Sequence, residues 1–200
     1  MLLGLTGSIA TGKSTVSAML RRKGAYIIDA DQVAREVVEP GSEGLKRIVA
    51  HFGEEMLDNE GKLDRARLGS VIFQDPVKRK TLNRLLHPLI MQTMQLQTDT
   101  IRQENRQAMI VWDVPLMYEE NLTPYVEAVI LVYVPREIQL ERLMKRNSLS
   151  KEEALKRIDA QMDIEEKKKL ADYIIDNCGT LSDTERQVDQ LWNYLISKSG

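Results

Sequence analysis

GLTGSIATGKST, residues Gly4–Thr15, decides how the rest of this chain of 200 residues is read. Gly7, Gly12, Lys13 and Ser14 carry the spacing Gly-x-x-x-x-Gly-Lys-Ser/Thr, in which each residue type has a task. Glycines let the backbone curl so that its N–H groups approach phosphate oxygens. A following helix aims its free N–H groups and positive dipole end at the same anion. Lys13 is a mobile point charge for β- and γ-phosphates, and the Ser14 hydroxyl suits Mg²⁺. Four fixed positions match by accident in about one in a hundred chains of this length. The context narrows the reading further: Leu2–Thr6 has the pattern of a short buried strand, and Lys13–Lys23 that of a helix with Val16, Met19 and Leu20 on one face. The bland alternative is a glycine turn that holds nothing.

The charge balance, 28 basic against 30 acidic residues, excludes a nucleic-acid binder dominated by charge, so an anionic ligand has to be held by local cations. One cysteine, Cys178, forbids an intrachain disulfide and suits a reducing compartment. No apolar run reaches membrane-spanning length, and the apolar N-terminus feeds directly into the loop instead of ending as a signal peptide. A cytoplasmic protein with no nucleic-acid or membrane partner is expected.

Five apolar runs read as strands: Leu2–Thr6, Tyr26–Asp29, Met109–Val114, Ala128–Val134 and Tyr173–Ile175. Helical patterns separate them, which argues for a parallel sheet covered on both faces. Two connections are too long for simple crossovers. From 32 to 106 the pattern is almost wholly helical: Asp64 is placed to cap one helix, and Pro88 is expected to bend or interrupt a longer one. The second excursion, 137–170, is charged and carries a capping box, Ser150 with Glu153. The expected organisation is one domain over 1–200: a core of about 1–31, 107–136 and 171–200, an inserted helical lobe of about 32–106, and a lid of about 137–170. Lys167-Lys168-Lys169 reads as the solvated end of a helix in that lid.

A phosphate loop leaves open what is done with the nucleotide. The Asn-Lys-x-Asp element by which GTPases read guanine is absent, and Asp58-Asn59-Glu60-Gly61 reads as a turn. Remodelling ATPases need more chain. A small-molecule kinase fits the length, the inserted lobe and the lid. Such an enzyme needs a group that orients the attacking hydroxyl. Asp29 and Asp31 stand where the second strand ends, the edge at which open parallel sheets bind ligands. Asp31 is the candidate base; its bland reading is a cap for a helix starting at Gln32. Arg142 and Arg146, four residues apart, could clamp phosphate oxygens or form a solvated face, and Arg157 follows on the next helix. Asp113, at a strand end, is a further candidate for Mg²⁺ through water.

Taken in order, GLTGSIATGKST, IIDADQVAREVV, GKLDRARLGSVIF, LLHPLI, DVPLMYE and ADYIIDN resemble the dephospho-coenzyme A kinase family, over nearly the whole chain. The resemblance implies an α/β P-loop kinase with a five-stranded parallel sheet covered by helices, an inserted substrate lobe and a lid. It implies ATP and Mg²⁺, with dephospho-coenzyme A as acceptor at its ribose 3′-hydroxyl; separately, a monomer is expected. Carried over by position, Gly7, Ala10, Thr11, Gly12, Lys13, Ser14 and Thr15 match the ATP loop. Asp31 matches the base, and Arg35, Arg65 and His87 match the acceptor side. Pro115, Leu116 and Glu119 match the third-strand edge, Arg142 and Arg146 the lid approach, and Asn177 the asparagine near adenine. Ser8 departs from the family, which usually has a second glycine there; serine is tolerable unless the position needs positive φ. The alternatives are a kinase of another small acceptor and a non-catalytic ATP sensor.

Overall fold

The alternation of apolar strands with helices closes as expected. The computed structural model describes residues 1–199, of Gln74 and Ser199 the backbone alone. Five strands, β1 (Leu2–Thr6), β2 (Tyr26–Asp29), β3 (Ile110–Asp113), β4 (Ala128–Tyr133) and β5 (Tyr173–Asp176), form a parallel sheet in the order β2-β3-β1-β4-β5. β1 lies at the centre, with Leu3 opposite Val111 on one side and Ala128 on the other. β1 and β3 are buried at every position and β4 at all but its first, whereas β2 and β5 at the edges are partly exposed. This is the burial that continuous apolar runs demand.

The chain divides into two compact units, Met1–Ile28 with Ile101 onward, and Asp29–Thr100. In the first, α1 (Lys13–Arg22) and α9 (Leu181–Ser199) cover one face of the sheet. Val16, Met19 and Leu20 meet Leu3, Leu5, Ile130, Val132, Val188 and Leu195 in its main core. A smaller cluster joins α6 (Arg136–Asn147) to α7 (Lys151–Asp159) through Leu143, Ala154 and Ile158, and Ile9 and Ala10 of the phosphate loop pack against it. Burial of its sulfur and the Asp176 carboxylate beside it push the Cys178 thiol up to about 11, so it stays protonated at neutral pH.

The second unit is helical: α2 (Ala30–Glu36), α3 (Glu43–Phe52), α4 (Arg65–Gln74) and most of α5 (Pro76–Glu104). Its helix starts follow the sequence. Ser42 accepts from Leu45 N–H, Asp64 from Arg67 N–H, and Asp75 from Val77 and Lys78 N–H ahead of Pro76. A Cβ on Gly44 would strike the Val37 carbonyl, so α3 meets the end of α2 backbone to backbone. Asp58 forms the expected turn, its carboxylate accepting from Glu60 and Lys62 N–H.

Three expectations are corrected. Pro88 does not interrupt its helix: α5 runs unbroken through it for 29 residues. The lost bond to the Arg84 carbonyl costs about 3 kcal/mol, which three turns on one side and four on the other sustain. Asp31 is no cap. α2 begins at Ala30, and Asp29 is its N-cap, accepting from Asp31 N–H (2.8 Å) and Gln32 N–H (3.2 Å). Nor is Lys167 solvated. It lies in α8 (Ile164–Leu170) with none of its surface exposed, its ammonium 2.8 Å from Glu119 and 3.2 Å from the Pro115 carbonyl. Lys169, two residues on, is exposed and pairs with Glu166 in the manner expected.

Two stability tests follow. Lys167→Met leaves the Glu119 carboxylate without its cation and should cost about 3 kcal/mol in urea unfolding. Adding Glu119→Gln should recover part of that loss. Asp29→Ala should cost about 1 kcal/mol through the lost cap. Asp31→Asn, which gives up only a first-turn charge, should cost about 0.5 kcal/mol or less.

Candidate active site

β1 delivers the chain at Thr6 into a loop whose backbone the glycines and one alanine bend. Gly12 is left-handed (φ 86°, ψ 22°), as is Ala10 (φ 64°). The alanine pays about 1 kcal/mol for this conformation. Ser8 is not among the residues with positive φ, which removes the steric objection to a serine there. The Ser8 carbonyl closes the turn, accepting from Thr11 N–H (3.2 Å) and the Thr11 hydroxyl (2.9 Å).

α1 then starts at Lys13 with no side-chain cap and no acid in its first turn. α2, α3, α4, α7 and α8 all receive a side-chain cap. The first four N–H groups of a helix lack partners inside it, so α1 offers its own to an anion. Lys13 forms an ion pair with Asp113 at the end of β3, a carboxylate only 4% exposed. Ser14 is exposed in the first helical turn and Thr15 half-buried beside it.

The loop opens on a groove of ≈ 560 Å³. Ala10, Gly12 and Thr15 line it on the loop side, Arg142, Lys145 and Arg146 on the α6 side, with Asn177 and Gly179 after β5. Arg142 and Arg146 are thus brought together with the loop, whereas Arg157 is outside the lining. The Arg142 guanidinium donates to the Asn177 carbonyl (2.9 Å), and that of Arg146 to the neighbouring Asn147 side chain (2.9 Å). Three cations beside an uncapped helix start have the chemistry to hold a polyphosphate. The Asn177 side chain packs against the loop itself, its Nδ2 donating to the Thr11 carbonyl at 2.8 Å.

The β3 edge is a joint. Pro115 offers its carbonyl to the Thr6 hydroxyl (3.1 Å) as well as to Lys167. Glu119 accepts from Met162 N–H (2.9 Å) and Lys167, and its second oxygen is buried without a partner among the described residues. Leu116 is half-buried between them in sequence. Gln161, just before this joint, accepts from the loop's Ile9 N–H at 2.7 Å. Gln161, Lys145 and Thr184 were not legible as site residues, since no spacing or charge pattern marks them.

In the helical unit, Arg65 extends its guanidinium to the Arg35 carbonyl (3.4 Å), which brings these two exposed residues together. Asp31 is exposed in the first turn of α2. His87 is half-buried, its Nε2 enclosed with no partner among the described residues. Among those residues no three His, Cys, Asp or Glu side chains gather as a metal cluster, and no helix is long and apolar enough to cross a membrane.

The family profile described as dephospho-CoA kinase matches residues 1–183. A dephospho-CoA kinase from Listeria monocytogenes is 48% identical over 186 residues, 93% of this chain and 92% of that one. One from Oceanobacillus iheyensis is 47% identical over 196 residues, 96% and 98% of the two chains. Among solved structures, dephospho-CoA kinase from Campylobacter jejuni superposes with a TM-score of 0.75 at 32% identity, covering 100% of this chain and 98% of that one. With its loop, its sheet order and its sequence all in agreement over nearly the full length, the chain belongs to the dephospho-CoA kinase family.

Proposed function

We propose that this protein transfers the γ-phosphoryl group of ATP to the ribose 3′-hydroxyl of dephospho-coenzyme A, giving coenzyme A and ADP, the last step of coenzyme A biosynthesis. The observation that carries the reading is the uncapped start of α1 behind Gly12, with Lys13 beside it, in a chain whose family has this activity. In this mechanism the loop N–H groups and Lys13 bind the β- and γ-phosphates. Lys13 exchanges its Asp113 partner for phosphate oxygens, an exchange that a flexible four-carbon stem permits. Arg142, Arg146 and Lys145 offset charge that spreads over the transferred group. Asn177 lines the adenine end of the groove.

Mg²⁺ is part of the proposal. Ser14 and, through water, Asp113 would hold it. Mg²⁺ commonly keeps several waters and takes its other ligands from phosphate, so one hydroxyl and one carboxylate would be enough from the protein. Bound there, it would neutralise phosphate charge. On the acceptor side, Asp31 accepts or orients the 3′-hydroxyl proton. Its carboxylate is unencumbered because Asp29 has taken over the capping. Arg35 and Arg65 are the cations for the acceptor's diphosphate, and His87, Pro115 and Leu116 complete the acceptor's surroundings. A free thiol at Cys178 supports a reducing, cytoplasmic setting. We take the monomer as the working unit because the loop and the nucleotide groove are built from one chain; sedimentation would reveal otherwise.

Acceptor profiling with ATP tests the function. Dephospho-coenzyme A should be phosphorylated far better than adenosine, AMP or CMP; equal rates on all four would point to a kinase of another acceptor, and no transfer to any of them to an ATP sensor. Asp31→Asn tests the mechanism. Turnover at saturating substrates should fall by ~10²–10⁴, towards the lower end because the proton leaves late in a loose transition state. Normal turnover in that variant would strip Asp31 of its role. Lys13→Ala should abolish most ATP use; the chain should still fold, with a melting temperature lowered by roughly 5–10 °C because the buried Asp113 carboxylate loses its cation.

A further inference from the structure

Behind the phosphate loop lies a hydrogen-bonded chain whose far member, Thr184, is outside the groove lining. Thr184, in the first turn of α9 and wholly buried, places its hydroxyl 2.7 Å from Asn177 Oδ1. Asn177 Nδ2 donates to the Thr11 carbonyl at 2.8 Å. We propose that Thr184 is a positioning residue for phosphate binding, acting through Asn177 on the direction of the Gly12 N–H.

The geometry of one peptide, Thr11–Gly12, links the two. A trans peptide is planar, so the Thr11 carbonyl and the Gly12 N–H point in opposite directions. Holding the carbonyl against Asn177 therefore aims the N–H away from Asn177. A loop carbonyl turned towards phosphate would repel it, whereas the N–H attracts it. The peptide beside a left-handed residue has no helix or strand to fix it, and Gly12 is left-handed. Gly12 is also where Asn177 sits closest: a Cβ there would overlap Nδ2. The absent side chain thus allows the bend and, in addition, the approach of the amide that controls it.

Asn177 suits this task because its backbone is already tied. Its N–H donates to the Tyr133 carbonyl (2.9 Å), and its own carbonyl accepts from Arg142 (2.9 Å). What is left free is the orientation of the side-chain amide. Flipped, it would set an oxygen against the Thr11 carbonyl oxygen. The Thr184 hydroxyl prevents this, because it can donate to Oδ1 and a flipped NH₂ would leave that proton without an acceptor on the amide. Its competing acceptor, the Thr180 carbonyl, is more distant at 3.3 Å. Thr184 is held in turn by the capping box at the start of α9. There Asp183 N–H donates to the Thr180 hydroxyl and the Asp183 carboxylate accepts from Thr180 N–H and its hydroxyl. Those bonds to Thr180 hold the Asp183 carboxyl below its ordinary range.

The proposal rests on the phosphate-loop reading, and calorimetry on the full-length protein separates the two. ATP, inorganic tripolyphosphate and dephospho-coenzyme A serve as probes, with melting curves alongside. Thr184→Val removes the hydroxyl at nearly constant shape and should weaken both ATP and tripolyphosphate about tenfold, the worth of one buried hydrogen bond. Dephospho-coenzyme A should bind as before. Thr184→Ser should restore wild-type affinity, and KM for ATP should rise more than kcat falls. Because Thr184 acts through Asn177, adding Thr184→Val to Asn177→Ala should cause no further loss; additive losses would overturn the proposal. So would weakened ATP with unchanged tripolyphosphate, which would place the effect at the adenine, or an equal loss for all three probes, which would mean general loosening. If Thr184→Val fails to fold, comparing Thr184→Ser with Thr184→Ala keeps the same readout. Failure of the unaltered protein to bind tripolyphosphate would overturn the phosphate-loop reading itself.

Discussion

A helix that begins without a cap needs something else to satisfy its first N–H groups, and this protein is built around that deficit. β1 is wholly buried and cannot shift. α1 is pinned on the same face by Val16, Met19 and Leu20. The six residues from Gly7 to Gly12 must therefore reverse the chain while keeping N–H groups turned inward, and no side chain closes the helix end. Most helices in the fold escape this condition through Ser or Asp at the N-cap. α6 also starts without a side-chain cap, behind Pro135, but only at α1 does the uncapped start follow a glycine loop and carry Lys13, the combination that creates affinity for an anion.

Such a loop must be held from outside, because its own hydrogen bonds amount to a tight turn at Ser8–Thr11. Three separate elements supply the holding groups. Asp113 from β3 takes the Lys13 ammonium, Gln161 from the segment before α8 takes the Ile9 N–H, and Asn177 after β5 takes the Thr11 carbonyl. These contacts differ in what a nucleotide would do to them. The first engages a cation that phosphate also seeks, so it is exchangeable. The third engages a carbonyl that phosphate does not seek, so it can persist while the site is filled. A loop needs both kinds: one to keep its charge compensated when empty, the other to keep its shape when occupied.

The frame was legible in the sequence because its determinants are local. Two of the five strands, Leu2–Thr6 and Tyr26–Asp29, coincide with the apolar runs that announce them, and the others shift by a residue or so at their ends. Caps at Asp64 and Ser150 follow from residue type and position alone. What escaped was long-range. The cap between Asp29 and Asp31, two residues apart, is decided by where α2 begins: at Ala30, not Gln32, so Asp29 takes the cap and Asp31 is left out of it. Pro88 misled because a proline's local penalty says nothing about how many turns flank it. Gln161 and Thr184 carry no motif; they matter only through partners 152 and 7 residues away.

Lys167 shows how such a reading fails in a way that changes the picture of the segment expected to form a lid. Three successive lysines at a helix end look interchangeable, and local electrostatics favours solvent for all of them. One of the three faces Glu119 and the Pro115 carbonyl, and desolvating an ammonium is tolerable only with an opposite charge and further acceptors in place. Once those partners exist, moving α8 outward would break the ion pair, leave the half-buried Glu119 carboxylate without its cation and release the Met162 N–H as well. That penalty falls on α8 and not on α7, whose polar ties are its own capping box and an exposed pair between Arg136 and Asp159. Of the charged stretch from 137 to 170, the part after Gln161 is therefore tied to the β3 edge, while α6 is tied to the strand ends through Gln139 to the Val134 carbonyl and Arg142 to the Asn177 carbonyl. Gln161 stands between α7 and α8 with its side chain on the phosphate loop, so the turn that joins these two helices is bonded directly to the loop at Ile9.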